Sequence, residues 1–179
     1  MRNRYLVWLL LIASISLLLS GCTGGKQGKE RAAQSAEEIK QMVNDFSTDK
    51  LSAEGASITS HQLIVTSLDQ SKTTYELPKD EFFVSIAPYI NETHPCAIHS
   101  LTGCQGEMSS ESFEVKVTDQ DGNVIIDDTL QAHNNGFIDI WLPRDRKYEV
   151  EIGHGDKSGK EEISTFEGDN TCISTMQLS

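Results

Sequence analysis

Ser112-Phe113-Glu114-Val115-Lys116-Val117 alternates apolar and polar residues, is followed by the turn pair Asp121-Gly122, and gives way to a second apolar run over residues 124–130. A period of two with a tight turn between the runs specifies an antiparallel hairpin with one buried face. Short runs of the same kind continue at 137–142, 147–152, 162–166 and 171–178. Six such strands joined by polar turns predict an antiparallel, β-sandwich-like C-terminal domain over residues 110–179. Asp119-Gln120-Asp121-Gly122-Asn123 opens like a calcium loop, but Val124 stands where that loop needs glycine and Leu130 where it needs a bidentate glutamate, so the segment reads as the hairpin turn.

Toward the N-terminus the period changes. Ser35 and Glu38 have capping-box spacing, and Ala36, Ile39, Met42, Val43 and Phe46 recur on one helical face. Three β-like runs follow at 61–67, 73–77 and 82–90, separated by Asp69-Gln70-Ser71 and Pro78-Lys79-Asp80. The fold class expected is therefore α+β and mostly β: a small helix-plus-β module over 32–91, then the sandwich-like domain.

The first residues set the compartment. Arg2 and Arg4 precede an apolar run over 6–19 that ends in Leu19-Ser20-Gly21-Cys22. The run is too short for a retained membrane helix and has the flanks of a secretory signal. Its last four residues resemble a bacterial lipobox, which makes 1–21 a leader, Cys22 the lipidated N-terminal residue and 22–31 a polar tether. The expected location is the cell envelope, anchored by lipid and facing the extracytoplasmic space.

The chain carries a formal charge of −12 over 179 residues, and removing the leader takes away two arginines and no acids. Nucleic acid, gripped through its phosphates by basic side chains, is excluded as a partner. The chain has four cysteines. With Cys22 lipidated, Cys96, Cys104 and Cys172 remain, and three thiols cannot all pair within one molecule. An unpaired thiol in an oxidising compartment needs a reason.

The reason lies between residues 92 and 109. His94-Pro95-Cys96-Ala97-Ile98-His99, followed by Ser100-Leu101-Thr102-Gly103-Cys104-Gln105-Gly106-Glu107, sets two thiols and two imidazoles close together. Thiolate with imidazole suits Cu(I) or Zn(II) far better than calcium or magnesium. Three sulfurs give the trigonal arrangement that Cu(I) accepts readily, which makes copper the expected metal and zinc the alternative. Pro95 fits the first position of a short helix capped by Thr93 or His94, which would place Cys96 in its first turn and His99 on the same face. On an unbroken helix Cys104 would lie about 12 Å from Cys96, so Gly103 is expected to end the helix and turn the chain back. In the closing run Cys172, Ser174, Met176 and Leu178 share one face. The candidate metal ligands are Cys96, Cys104 and Cys172, with His94, His99 and Met176 as accessory donors. His61, His133 and His154 lack ligand spacing and read as structural or surface residues.

The run His-Pro-Cys-x-x-His-Ser-Leu-x-x-Cys-Gln-Gly-Glu over 94–107, with a lone cysteine in the closing strand at Cys172, resembles the CueP family of bacterial periplasmic copper-binding proteins, from about residue 32 to the end. The resemblance implies copper bound through Cys96, Cys104 and Cys172, a role in copper tolerance, delivery of copper to a client protein, an N-terminal module that forms a homodimer, and reduction of Cu(II) to Cu(I). The lipobox is a departure from a soluble periplasmic pattern.

Chemistry agrees with that implication: two thiolates can each give one electron to Cu(II) and end as a disulfide while a third thiol holds Cu(I). Cys96 and Cys104 are the expected binding and reducing pair, with Cys172 completing the site or resolving the disulfide; the pairing itself is left open. Such reduction is stoichiometric, and enzymatic turnover would need an external reductant. Two other readings use the same cysteines: a thiol–disulfide oxidoreductase, disfavoured by the lack of Cys-x-x-Cys, and a structural or adhesive lipoprotein stapled by one disulfide.

Overall fold

The computed structural model describes residues 34–179. The leader, the lipidation residue Cys22 and the whole of the tether lie outside the described residues.

Helix α1 (Ala36–Ser47) begins at Ser35, whose hydroxyl accepts from the Glu38 amide while the Glu38 carboxylate accepts from the Ser35 amide. That reciprocal cap satisfies two amides that have no partner inside the helix. Ile39, Val43 and Phe46 are buried, as the spacing requires, and they pack on Ala56, Ile58, Leu63, Leu77, Phe83 and Leu101.

Eleven strands follow among the described residues: β1 (Gly55–Ile58), β2 (Gln62–Thr66), β3 (Lys72–Glu76), β4 (Glu81–Ile86), β5 (His99–Ser100), β6 (Ser112–Asp119), β7 (Val124–Gln131), β8 (Ile138–Pro143), β9 (Lys147–His154), β10 (Lys157–Ser164) and β11 (Cys172–Ile173). They make three sheets, ordered β3-β2-β1-β5, β10-β9-β6-β7 and β11-β4-β8. The second sheet contains the expected hairpin: β6 pairs with β7, and Asp119 closes the turn by accepting from the Asp121 and Asn123 amides. Phe113, Val115 and Val117 face inward, alternating with exposed partners.

The three-stranded sheet is the middle layer. Phe82, Val84 and Ile86 of β4 and Ile138, Ile140 and Leu142 of β8 join the inward residues of β6 and β9 in one core. On the opposite face Phe83 and Trp141 meet α1, β1 and β2, with Phe83 and Trp141 edge to face at 5.2 Å. A strand covered on both sides reads as a continuous apolar run, and Phe82-Phe83-Val84 is such a run.

Four local expectations are corrected. The run over 82–90 stops as a strand at Ile86, just ahead of Pro88, because proline donates nothing to a ladder. The closing segment pairs with β4 in parallel, not antiparallel, and only Cys172 and Ile173 form a strand, with one further bridge from Tyr89 to Gln177. Two of the six expected sandwich strands, β8 and β11, join β4 instead of a sheet built only from the C-terminal half. Finally, no helix starts at Pro95: residues 91–98 are irregular and lead into β5. Proline at a first turn permits a helix without supplying the apolar face that would stabilise one, and Ala97 and Ile98 are exposed.

Candidate metal centre

The sulfur atoms of Cys96, Cys104 and Cys172 and a ring nitrogen of His99 all lie within 4.8 Å of one another. Each arrives by a different backbone route. His99 sits in β5, opposite Ile58 of β1, with its amide donating to the Thr171 hydroxyl. Thr171 passes its own hydroxyl proton to the Ile58 carbonyl. Cys172 stands beside Ser85 of β4, and its amide donates back to the Ala97 carbonyl. Ala97 thus ties the closing segment to the loop that carries Cys96.

Cys104 returns through a turn. Its amide donates to the Ser100 carbonyl at 3.0 Å, and its sulfur accepts the Ser100 amide at 3.4 Å. Gly103 lies inside this turn, so the chain does double back as expected, but from a strand and not from a helix. The Leu101 amide donates to Ala56, and the Ala56 amide donates to the Thr102 hydroxyl, which fastens the turn to β1.

Two further contacts fix the loop that carries Cys104, one to the segment leading to Cys96 and one to the turn between β7 and β8. The Glu107 carboxylate accepts from the Ile90 and Asn91 amides and from the Asn91 side chain. These donors hold its pKa down to about 2, since they stabilise only the ionised form. Gly106 lies so close to Gly136 that a Cβ there would stand 2.7 Å from the Gly136 carbonyl oxygen. The Gly106 amide donates to the Asn135 carbonyl at 2.7 Å.

A disulfide joins Cys96 to Cys172, with the Cα atoms 5.6 Å apart, and Cys104 is a free thiol whose sulfur is 3.5 Å from that of Cys96. This is one of the pairings that the sequence left open. Cys96 is the sulfur in contact with both others. Ala87, Phe137 and the buried Cys172 form a small apolar lining, with Cys96 and Cys104 against it.

His99 is fully buried, and its ring lies 4.5 Å from that of Phe137. Burial pushes its pKa down to about 4, against the upward pull of Asp139. The imidazole is therefore neutral at ordinary pH, the form in which it binds metals. Its Nε2 is 3.3 Å from the Ser85 hydroxyl, whereas Nδ1 is buried with no hydrogen-bond partner. A buried polar atom without a partner is rare and calls for a ligand or another explanation. Ser85 donates to Asp139, which also accepts from Ser47 and faces His133 at 3.5 Å. Burial alone would raise the Asp139 carboxyl, but the hydrogen bond from His133, the nearby His99 and the hydroxyls of Ser47 and Ser85 together lower it.

The other candidates stand elsewhere. His94 is half-buried outside the cluster, its ring 6.4 Å from Phe137. Met176 shares the buried face of the closing segment, as its alternation with Cys172 predicts, but packs in the main core against the sheet of β6 and β9. His133, read from sequence as structural or surface, belongs to the polar chain behind His99. Ser85, Asp139 and Glu107 had no signal in spacing, because each acts through a partner at least 14 residues away.

The donor set fits a soft monovalent metal. Sulfur ligands about 2.3 Å from a metal stand about 4 Å apart, so atoms already gathered within 4.8 Å need only small shifts to share one ion. A disulfide sulfur is a poor ligand, so the arrangement seen here is the oxidised one. Two-electron reduction would yield three thiols beside one imidazole.

Residues 37–177 match the protein family described as "Periplasmic copper-binding protein CueP". Among solved structures the chain is similar to one titled "Crystal Structure of S.CueP", at 39% sequence identity and a TM-score of 0.74, with 79% of this chain and 88% of that chain covered. No curated protein matches.

Proposed function

This chain belongs to the CueP family of periplasmic copper-binding proteins, and from that premise we propose that it binds copper through Cys96, Cys104, Cys172 and His99 and reduces Cu(II) to Cu(I) there. The observation that carries the reading is the convergence of three sulfurs and one imidazole nitrogen within 4.8 Å. In the reduced form two thiols give one electron each to two Cu(II) ions, one S–S bond forms, and the two thiol protons leave to solvent. Cys96 and Cys172 are the pair that closes, one of the pairings left open by the sequence. Cys104 and the neutral His99 remain as soft and borderline donors for Cu(I). Return to the dithiol requires an external dithiol reductant.

The test is to add Cu(II) to anaerobic, fully reduced protein, follow Cu(I) with a chromogenic chelator and count the remaining thiols. Two Cu(I) formed and two thiols lost per chain are expected. Cys96→Ser, which removes the sulfur touching both others, should cut the yield sharply. An unchanged yield in that variant, or no loss of thiols in the parent, overturns the redox assignment.

Leu19-Ser20-Gly21-Cys22 supports a lipid anchor that places this copper chemistry at the membrane surface. In that setting the protein serves copper tolerance by capturing the ion, acts as a homodimer through its N-terminal helix-plus-β module, and passes Cu(I) to a client protein. A second reading has its own support. A free thiol 3.5 Å from a disulfide sulfur is placed for thiol–disulfide exchange, and turnover of a disulfide substrate in metal-free buffer would favour it.

A further inference from the structure

Behind the sulfur cluster runs a polar chain made of Ser85, Asp139, Ser47 and His133. Ser85 has one hydroxyl proton, and it goes to the Asp139 carboxylate at 2.6 Å. Toward His99 Nε2, 3.3 Å away, the serine oxygen therefore presents only lone pairs. Two acceptors cannot face each other across a hydrogen bond, so Nε2 must carry the ring proton. A neutral imidazole has one proton, which leaves the lone pair on Nδ1, the atom that is buried without a hydrogen-bond partner, on a ring that has a nitrogen within 4.8 Å of the three sulfurs.

The Asp139 carboxylate is itself held from the far side. Its other oxygen accepts the Ser47 hydroxyl at 2.5 Å and faces His133 Nε2 at 3.5 Å. With both oxygens engaged, the carboxylate cannot rotate away from Ser85 without leaving Ser47 unpaired. Metal-binding histidines are commonly fixed in this way, by a partner on the nitrogen that does not bind.

We propose that Ser85 and Asp139 are positioning residues that lock His99 in the Nε2–H form, so that its Nδ1 is a ready-made metal ligand. This rests on the copper reading above for what the nitrogen binds, but not for which nitrogen is protonated.

The two can be tested apart. In uniformly 15N-histidine-labelled protein without metal, long-range proton–nitrogen spectra distinguish the two tautomers of His99. The Nε2–H form is expected in the parent. In Asp139→Asn the new amide can donate to the Ser85 hydroxyl, freeing the serine proton for Nε2, so the His99 tautomer should move toward Nδ1–H. Ser85→Ala, which removes the acceptor for Nε2–H, should weaken Cu(I) binding in a chelator competition by about tenfold or more, and Ser85→Thr should restore it. Finding Nδ1–H in the parent overturns the proposal, even if a variant fails to fold. So does a tautomer indifferent to Asp139→Asn together with unchanged Cu(I) affinity in Ser85→Ala. If the parent shows Nε2–H but takes up no Cu(I), the copper reading falls and the tautomer assignment stands.

Discussion

The sulfur of Cys104 lies 3.5 Å from that of Cys96, although Cys96 is already bonded to Cys172. One cysteine therefore stands between two others, each a candidate partner. Exchange between the two pairings needs attack by one thiolate on the adjacent disulfide sulfur, with no large movement of the chain.

This relationship predicts what happens when Cys172 is removed. Oxidised Cys172→Ser should contain a Cys96–Cys104 disulfide, identified by mass spectrometry of proteolytic peptides under non-reducing conditions. Two free thiols persisting after oxidation would show that the 3.5 Å approach is not maintained in solution.

Glu107 is expected to hold the two cysteine-bearing loops together. Glu107→Gln replaces a charged acceptor with a neutral one, and the amides of Ile90 and Asn91 lose their charge-assisted bonds. Amide exchange at these two positions should quicken in the variant while α1 and the β6–β9 ladder keep their protection. Unchanged exchange at Ile90 and Asn91 would remove Glu107 from the account.

Gly106→Ala should be destabilising and should disturb the site. The added methyl would stand 2.7 Å from the backbone oxygen of Gly136, which is itself held at a φ of 78°. Backbone cannot give way as the end of a flexible side chain can. A loss of about 1–3 kcal/mol is expected in denaturant unfolding, as for other overpacked sites. Slower recovery of the native disulfide should accompany it, because the same loop carries Cys104.

Stability should fall on acidification in two stages. His99 is held near pKa 4 by burial, against an ordinary value of 6.5. Its neutral form supports the fold fully above pH 6.5, and that support is lost as pH falls from 6.5 toward 4 while the unfolded chain takes up the proton first. The loss is on the order of 3 kcal/mol. Glu107, ordinarily near 4.5 and here about 2, contributes above pH 4.5 and loses its contribution as pH falls toward 2. His133 has the opposite sign, because Asp139 raises its pKa, so its contribution is present in acid and fades as pH rises. Urea unfolding of the parent and of His99→Gln at pH 7 and pH 4.5 isolates the first stage, and the parent should lose more stability between the two pH values. Equal losses would contradict the burial of a neutral His99.

Much of the scaffold was legible in the chain because it rests on local periodicity. Ser35 and Glu38 specify the start of α1 by their spacing, and Phe113, Val115 and Val117 specify the inward face of β6. The layer that organises the molecule was less legible. Phe82-Phe83-Val84 is buried on both faces, so its pattern does not say which strands cover it. β1 carries little signal in the sequence because Gly55-Ala56-Ser57-Ile58 has only two apolar side chains to mark its face. At the site, the residue types of Cys96, His99, Cys104 and Cys172 announced metal chemistry, and the structure gathers all four. Their supporting shell did not announce itself: serine at 85, aspartate at 139 and histidine at 133 are ordinary residues until folding sets them in a row.

Copper-edge X-ray absorption on anaerobically reduced protein loaded with one equivalent of Cu(I) tests the central claim most directly. A first coordination shell dominated by sulfur, with a single imidazole nitrogen that disappears in His99→Gln, is the expected result. A shell of nitrogen and oxygen donors without sulfur would contradict it.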